Sequence, residues 1–344
     1  MSLYDWVRPL FFRLPPEHAH ALTLGLIRLA GNLPWVPSVL SSCFSGPERP
    51  VQVFGLTFCN PVGLAAGYDK DGLGWRGLAH LGFGHIEVGT VTPRPQPGNP
   101  KPRLFRLIPD QAVINRMGFP GKGGRFVVRE LSHPRPAGLV LGVNIGKNKD
   151  TSLEDAVQDY ILLLRQFSSL ADYIAINVSS PNTAGLRQLQ GRQELQNLLG
   201  ALMDERKQLV SQNPGLHLPL LVKVAPDLEP GELEDALDVI QVVGMDGVIA
   251  TNTTLSRESL SSPLASETGG LSGAPLFFRS LRMVRQIWRL TNGQLPIIGV
   301  GGVHNAATAQ AMLDAGASLI QVYTGLIYQG PGLVKQILRG LVST

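Results

Sequence analysis

The chain has 344 residues, of which 44% are hydrophobic, with 39 Gly, 26 Pro and a formal net charge of +4. That is enough apolar material for one large domain or two ordinary ones, and the basic residues are too dispersed for a nucleic-acid surface. Two cysteines, Cys43 and Cys59, exclude a disulfide framework or a cysteine zinc site, and no apolar run is long enough to span a bilayer.

Residues 1–45 differ from the rest. Leu3, Trp6, Val7, Leu10, Phe11 and Leu14 form a short amphipathic helical pattern that Pro9 is expected to interrupt. No basic start, continuous apolar segment or small-residue cleavage site marks a signal peptide there. Pro15-Pro16 opens a second helix with Ala19, Leu22, Leu26 and Leu29 along one face. Arg8, Arg13 and Arg28 interleave with this apolar surface, and Trp6 and Trp35 flank it. Such helices suit a protein lying on a membrane surface. A helical hairpin packed on the main domain shows the same pattern. Pro34, Pro37, Pro47 and Pro50 read as punctuation of the link that follows.

From about residue 60 the chain alternates. Apolar strands are expected at 61–66, 84–91, 139–145, 172–178, 219–225, 247–251, 296–300 and 318–324. Helical patterns fall at 72–81, 153–169, 192–210, 231–243, 277–291, 305–315 and 332–342. Continuous apolar strands joined by helices predict a parallel sheet covered on both faces. Eight such units make the size of a (β/α)8 barrel. A doubly wound open sheet is the alternative, but Gly299-Val300-Gly301-Gly302 lacks the third glycine of a dinucleotide fingerprint, and no Walker A sequence occurs. The connection between the second and third strands is long. It holds Thr92-Pro93-Arg94-Pro95-Gln96-Pro97-Gly98-Asn99-Pro100, then Leu104–Leu107 and Ile114–Phe119, which predict a stiff loop and a small antiparallel strand pair over the barrel mouth.

In a parallel barrel the C-terminal strand ends share one face, and that face carries the chemistry. Here it collects Ala66-Gly67, Asp69, Lys70, Thr90, Asn144, Asn177, Ser180, Lys223, Thr251, Asn252, Gly301-Gly302 and Tyr323-Thr324. Asn177-Val178-Ser179-Ser180-Pro181-Asn182-Thr183 is the densest cluster, with a proline that ends the strand and stiffens the loop. Two lysines with amides and hydroxyls, and no carboxylate cluster, suit an anion rich in carbonyls and ring nitrogens. The seven histidines are scattered, so no metal site is expected. Glycines after the last two strands admit a phosphate-bearing cofactor, although tight turns use glycine too. Lys223 sits inside an apolar strand and needs an anion nearby. It would either stabilise negative charge on a reduced cofactor ring or form a Schiff base as in a barrel aldolase.

With these residues assembled, the chain resembles the class 2 dihydroorotate dehydrogenases, the membrane-associated, quinone-reducing type. The resemblance rests on Gly63–Gly72, Gly89–Leu107, Asn115–Phe119, Asn144–Asn148, Asn177–Leu186, Lys223–Asp227, Ala250–Thr254, Gly269–Gly273 and Gly299–Gly302. It implies oxidation of (S)-dihydroorotate to orotate in pyrimidine biosynthesis, with FMN as hydride acceptor and a membrane quinone as final acceptor. It implies that Ala66, Gly67, Lys70, Thr90, Asn144, Asn177, Lys223, Thr251, Gly273, Gly302, Tyr323 and Thr324 hold FMN. Lys70, Asn115, Arg116, Met117, Gly118, Phe119, Asn177, Asn182, Asn252 and Thr253 would hold the substrate. Ser180 would be the base, with Thr183 and a water near Phe119 relaying the proton. Residues 1–45 would serve membrane and quinone access, and residues 46–344 would form the FMN and dihydroorotate barrel. The resemblance further implies a monomer, peripheral on the cytoplasmic face of the cell membrane. Tyr68 and Gly121-Lys122-Gly123-Gly124-Arg125 depart from the expected pattern.

Overall fold

The computed structural model describes residues 3–183 and 185–342. Eight parallel strands close into a barrel: β1 (Val62–Leu64), β2 (His85–Val91), β3 (Val140–Ile145), β4 (Tyr173–Asn177), β5 (Leu220–Val224), β6 (Gly247–Ala250), β7 (Ile297–Val300) and β8 (Leu319–Val322). Each strand pairs with its sequence neighbours and β8 pairs with β1, so the ring has no edge. Helices follow most strands on the outside. All eight expected strands form, and all seven expected helices between and after them form within a few residues of the expected ends.

The strands look continuously apolar because both faces are covered, yet alternation within them decides what points inward. On β4, Ile174 and Ile176 join the outer core under the helices, whereas Tyr173 and Ala175 join the inner cluster. Leu220, Val222 and Val224 of β5 likewise face out, and Leu221 faces in. Polar groups share the inward parity: His85 and Glu87 on β2, Asn144 on β3, Lys223 on β5 and Gln321 on β8 are all buried. Glycines make room for the large ones. A Cβ on Gly142 would meet the Tyr173 ring at 2.1 Å, and one on Gly63 would meet the His85 ring at 2.0 Å. A hairpin of Val51–Val53 and Leu56–Phe58, which the sequence reading missed, supplies Phe58, Val51, Val53 and Leu56 to the inner cluster.

Three helices precede the barrel: α1 (Leu3–Arg13), α2 (Pro16–Asn32) and α3 (Val36–Phe44). Two expectations are corrected here. Pro9 lies within α1 and does not break it. Tertiary contacts hold that helix in place: the Tyr4 hydroxyl donates to the Ile327 carbonyl at 2.6 Å and Arg8 donates to Tyr328 O at 2.8 Å. The Phe12 ring adds an edge contact to Tyr328 at 5.4 Å. Pro37 does not punctuate a link; it stands in the first turn of α3, where a missing N–H costs nothing.

The lid is larger than a strand pair. The expected antiparallel pair forms, but the second strand runs over Ala112–Asn115 and leaves Arg116–Phe119 as loop, and Gly270–Gly273, from beyond β6, adds a third antiparallel strand. A helix at Gly124–Leu131 also lies in the β2–β3 connection.

Candidate active site

A cavity of about 310 Å³ opens at the C-terminal ends of the barrel strands, under the lid. Of the residues singled out in the sequence, it is lined by Ala66, Gly67, Lys70, Thr90, Asn115, Met117, Gly118, Phe119, Asn177, Ser180, Asn182, Lys223, Thr251, Asn252, Thr253, Gly273, Gly302, Tyr323 and Thr324. Elements far apart in sequence therefore converge as the strand-end logic requires.

Four singled-out residues stand outside that lining: Asn144, Thr183, Arg116 and Asp69. Asn144 lies beneath it, fully buried, where its carbonyl accepts from the Thr90 hydroxyl at 2.5 Å and from Asn177 Nδ2 at 3.2 Å. Thr183 is buried, and its Oγ1 has no protein partner among the described residues. Arg116 is turned away: its guanidinium pairs with Glu267 at 2.6 Å, and its central carbon lies 4.4 Å from the Phe105 ring centre. The Glu267 carboxylate and the aromatic face satisfy the cation outside the cavity, so its side chain is not placed to hold substrate. Asp69, read as part of the mouth, is also corrected. Its carboxylate is fully buried and accepts the Leu73 and Gly74 N–H groups at 2.8 Å each, so it shapes the loop after β1. Burial pushes its pKa up to about 6, against the pull of those hydrogen bonds.

The substrate-side amides are already networked. Asn182 Nδ2 donates to Asn115 Oδ1 at 3.1 Å, and Asn252 Nδ2 donates to the Ser179 hydroxyl at 3.0 Å. The Ser180 hydroxyl accepts the Asn182 N–H at 3.3 Å and is 5% exposed at the cavity wall. Lys70 Nζ donates to the Gly67 carbonyl at 2.6 Å, and enclosure lowers its pKa to about 8, partly countered by Asp71. On the opposite side, Thr324 and Ser272 share a hydroxyl contact at 2.8 Å, and Thr251 does so with Ser280 at 2.9 Å. Gly302 has φ +72°, and a Cβ there would strike Phe277 at 2.5 Å. Glycine is therefore required by packing as well as by any ligand near the loop.

Sequence reasoning missed Glu87. The Lys223 ammonium has its anion in this carboxylate, Nζ to Oε1 3.5 Å, with both side chains buried. Gln321, whose Oε1 has no protein partner among the described residues, also lines the cavity. Glu17, His20 and Lys101 line it from α2 and the lid.

A second cavity, about 400 Å³, lies between α1–α3 and the barrel. Its walls are mostly apolar, with Phe11, Ala19, Leu26, Ala30, Leu40 and Phe44 from the helices and Leu326 and Ile327 from after β8. His20, Leu104 and Tyr323 line both cavities, so the two meet there. Burial pushes the His20 pKa down to about 4, with Lys70 adding to the shift, so its ring is neutral at neutral pH. Outside, Trp6, Leu10, Leu22, Leu26, Leu29 and Trp35 are exposed along the helices. No helix among the described residues is long and apolar enough to cross a membrane.

The fold and the site define a (β/α)8-barrel enzyme with its chemistry at the C-terminal strand ends and an apolar annex beside it. Comparison with known proteins narrows the class. The family described as dihydroorotate dehydrogenase matches residues 50–344. A dihydroorotate dehydrogenase (quinone) of Acidithiobacillus ferrooxidans is 50% identical, covering 98% of this chain and 94% of its own. One of Paraburkholderia phymatum is also 50% identical, with 99% and 98% covered. A crystal structure of an Eimeria tenella DHODH in complex with ferulenol superposes with a TM-score of 0.86 at 40% identity, covering 94% of this chain and 90% of that one. The chain belongs to the dihydroorotate dehydrogenase family.

Proposed function

We propose that this protein oxidises (S)-dihydroorotate to orotate in pyrimidine biosynthesis, with FMN in the polar cavity and a membrane quinone as the final electron acceptor. The carrying observation is the junction of a polar strand-end cavity with an apolar one at His20, Leu104 and Tyr323. A polar anionic substrate and a lipid-soluble oxidant need such different surroundings within reach of one redox group.

The cavity chemistry fits a flavin mononucleotide. Lys223 offers a buried cation, Gln321 a carbonyl oxygen without a protein partner among the described residues, and Thr90 and Asn177 further polar groups, while Gly273, Gly302 and Thr324, which line the same cavity, would hold the phosphate. Ala66, Gly67, Lys70, Thr251 and Tyr323 would complete that cradle, with Asn144 supporting it from below. Bound there, FMN would supply a two-electron acceptor for the hydride lost from C6 of the substrate and a donor for the quinone.

The chain's own residues do the rest. Asn115, Asn177, Asn182 and Asn252 present donors and acceptors together, which suits a ring of alternating carbonyl and N–H groups. Thr253, Met117, Gly118 and Phe119 close the pocket around that ring, and Lys70 meets the substrate's negative charge. Ser180 removes the proton at C5. A serine hydroxyl is a weak base, so it needs an onward acceptor, and Thr183 Oγ1, without a protein partner among the described residues, would supply that route together with a water near Phe119. Arg116 acts on the lid through Glu267. Residues 1–45 form the quinone and membrane unit, residues 46–344 the barrel, and the protein works as a monomer lying peripherally on the cytoplasmic face of the cell membrane. The exposed Trp6 and Trp35 with neighbouring arginines support that placement.

Stopped-flow measurement of the two half-reactions separates the roles. Ser180→Ala should slow flavin bleaching by dihydroorotate by about 10²- to 10⁴-fold, the usual worth of a general base, and leave reoxidation by quinone unchanged. Ala30→Trp, which fills the apolar cavity, should slow reoxidation and leave bleaching unchanged. If each variant slowed both steps equally, the division of the site would be wrong.

A further inference from the structure

The floor of the strand-end cavity is organised by one carboxylate that touches no substrate position. Glu87 is fully buried inside the barrel. Its Oε1 accepts from Asn144 Nδ2 at 2.9 Å and faces Lys223 Nζ at 3.5 Å. Its Oε2 accepts from Gln321 Nε2 at 2.9 Å and the Tyr173 hydroxyl at 3.2 Å. Four donors converge on it, which is the setting of an ionised carboxylate. The Tyr173 proton stays in place, because burial first, then the Glu87 charge, pushes the phenol pKa well above its ordinary value.

An acceptor-only carboxylate fixes the polarity of everything above it. Asn144 must turn its NH2 toward Glu87, so its carbonyl faces Thr90 and Asn177. The Thr90 hydroxyl therefore donates downward, and its oxygen accepts from Asn177 Nδ2 at 2.8 Å. Asn177 Oδ1 is then left to face Ser179 and Asn252, each at 3.3 Å. Asn144 and the cavity-lining Thr90 and Asn177 thus take their orientation, and Lys223 its charge balance, from Glu87.

We propose that Glu87 is a positioning residue that sets the redox poise of the site, by neutralising Lys223 and fixing the hydrogen-bond polarity of the cavity floor. The inference rests on the reading that FMN binds in this cavity. An unbalanced ammonium beneath a flavin favours the reduced, more negative ring and raises the midpoint potential. With Glu87 behind it, the lysine's pull is tempered, and the flavin stays able to give its electrons to a quinone.

The test is the flavin midpoint potential, read spectroelectrochemically on the purified holoenzyme. Glu87→Gln keeps the shape and removes the charge. It should favour reduced over oxidised flavin at least tenfold, a positive shift of about 30 mV for a two-electron couple. Glu87→Asp, which restores charge, should bring the potential back toward that of the unaltered protein. Tyr173→Phe removes one donor from the carboxylate, leaves its charge less neutralised, and should move the potential the opposite way. Loosened packing alone would move Glu87→Gln and Tyr173→Phe in the same direction, and that result, or no shift in Glu87→Gln, overturns the proposal. If Glu87→Gln does not fold, the sign for Tyr173→Phe decides: a negative shift supports the proposal, and a zero or positive one overturns it. A colourless unaltered protein that FMN cannot reconstitute removes the cofactor reading itself, and the inference with it.

Discussion

Among the charged contacts that tie the N-terminal helices to the lid, the one at Glu17 can be removed and its loss measured. Glu17, in the first turn of α2, accepts from Arg103 Nε at 2.7 Å and lies 3.2 Å from Lys101 Nζ. Arg103 is only 8% exposed, and its other donors go to the Pro97 and Asn99 carbonyls at 2.6 and 3.0 Å. Unit charges about 4 Å apart attract by roughly 4 kcal/mol at an effective dielectric of 20. The partial exposure of Glu17 reduces that, while leaving Arg103 buried without its anion adds a penalty of about 1–3 kcal/mol. Glu17→Gln should therefore weaken the docking of α2 by about 2–4 kcal/mol. In native-state hydrogen exchange, α2 amides should lose protection by about 30- to 700-fold, at 1.4 kcal/mol per tenfold. Amides of β3 to β5, held by the barrel core, should keep theirs. Although burial pushes the Glu17 carboxyl up, the hydrogen bonds from Arg103 and Lys101 outweigh it and hold its pKa below 4.5. The contact is then fully present above pH 4.5 and is lost as pH falls through the lowered value. Unchanged α2 protection in Glu17→Gln would refute the assignment of this pair as a tie.

Three further outcomes are expected. Lys70, lowered to about 8 by enclosure, loses its ammonium as pH rises through that value, so KM for dihydroorotate should climb above pH 8 in the unaltered protein. That climb should be absent in Lys70→Met, whose KM is high throughout. Burial pushes the His85 pKa down to about 3 from 6.5, so the folded barrel refuses a proton that the unfolded chain takes. Stability is full above pH 6.5 and should fall toward pH 3 with a limiting slope of about 1.4 kcal/mol per pH unit, seen in urea midpoints; His85→Leu should flatten it. Arg116→Ala should change KM for dihydroorotate less than about threefold, because lost contacts outside the cavity act on lid stability; a large rise in KM would restore Arg116 to the substrate side.

The barrel was legible because fully covered parallel strands are short apolar runs bounded by polar loops, and the strand ends then named most of the cavity. What was not legible has particular causes. Glu87 and Gln321 sit in β2 and β8 among apolar neighbours, and reading those strands as uniformly apolar hid the alternation His85, Glu87 against Ile86, Val88. The Gly270–Gly273 strand is glycine-rich, and its partner Ala112–Asn115 lies far back in the chain, so no local pattern marks it. The helix at Gly124–Leu131 follows Gly123-Gly124, which reads as loop until Val127 and Leu131 are seen to be buried. Arg116 stands within a run of residues that line the cavity, but its guanidinium follows Glu267, which comes from another element. Pro9 was weighed by propensity alone, and the contacts of Tyr4, Arg8 and Phe12 override it.

The most direct measurement is an anaerobic spectral titration of the purified protein. The account predicts a yellow protein whose flavin absorbance bleaches on adding dihydroorotate and returns on adding a long-chain quinone. A flavin that dihydroorotate leaves oxidised, or one that it bleaches but quinone cannot restore, would contradict the joining of the two cavities into one redox path.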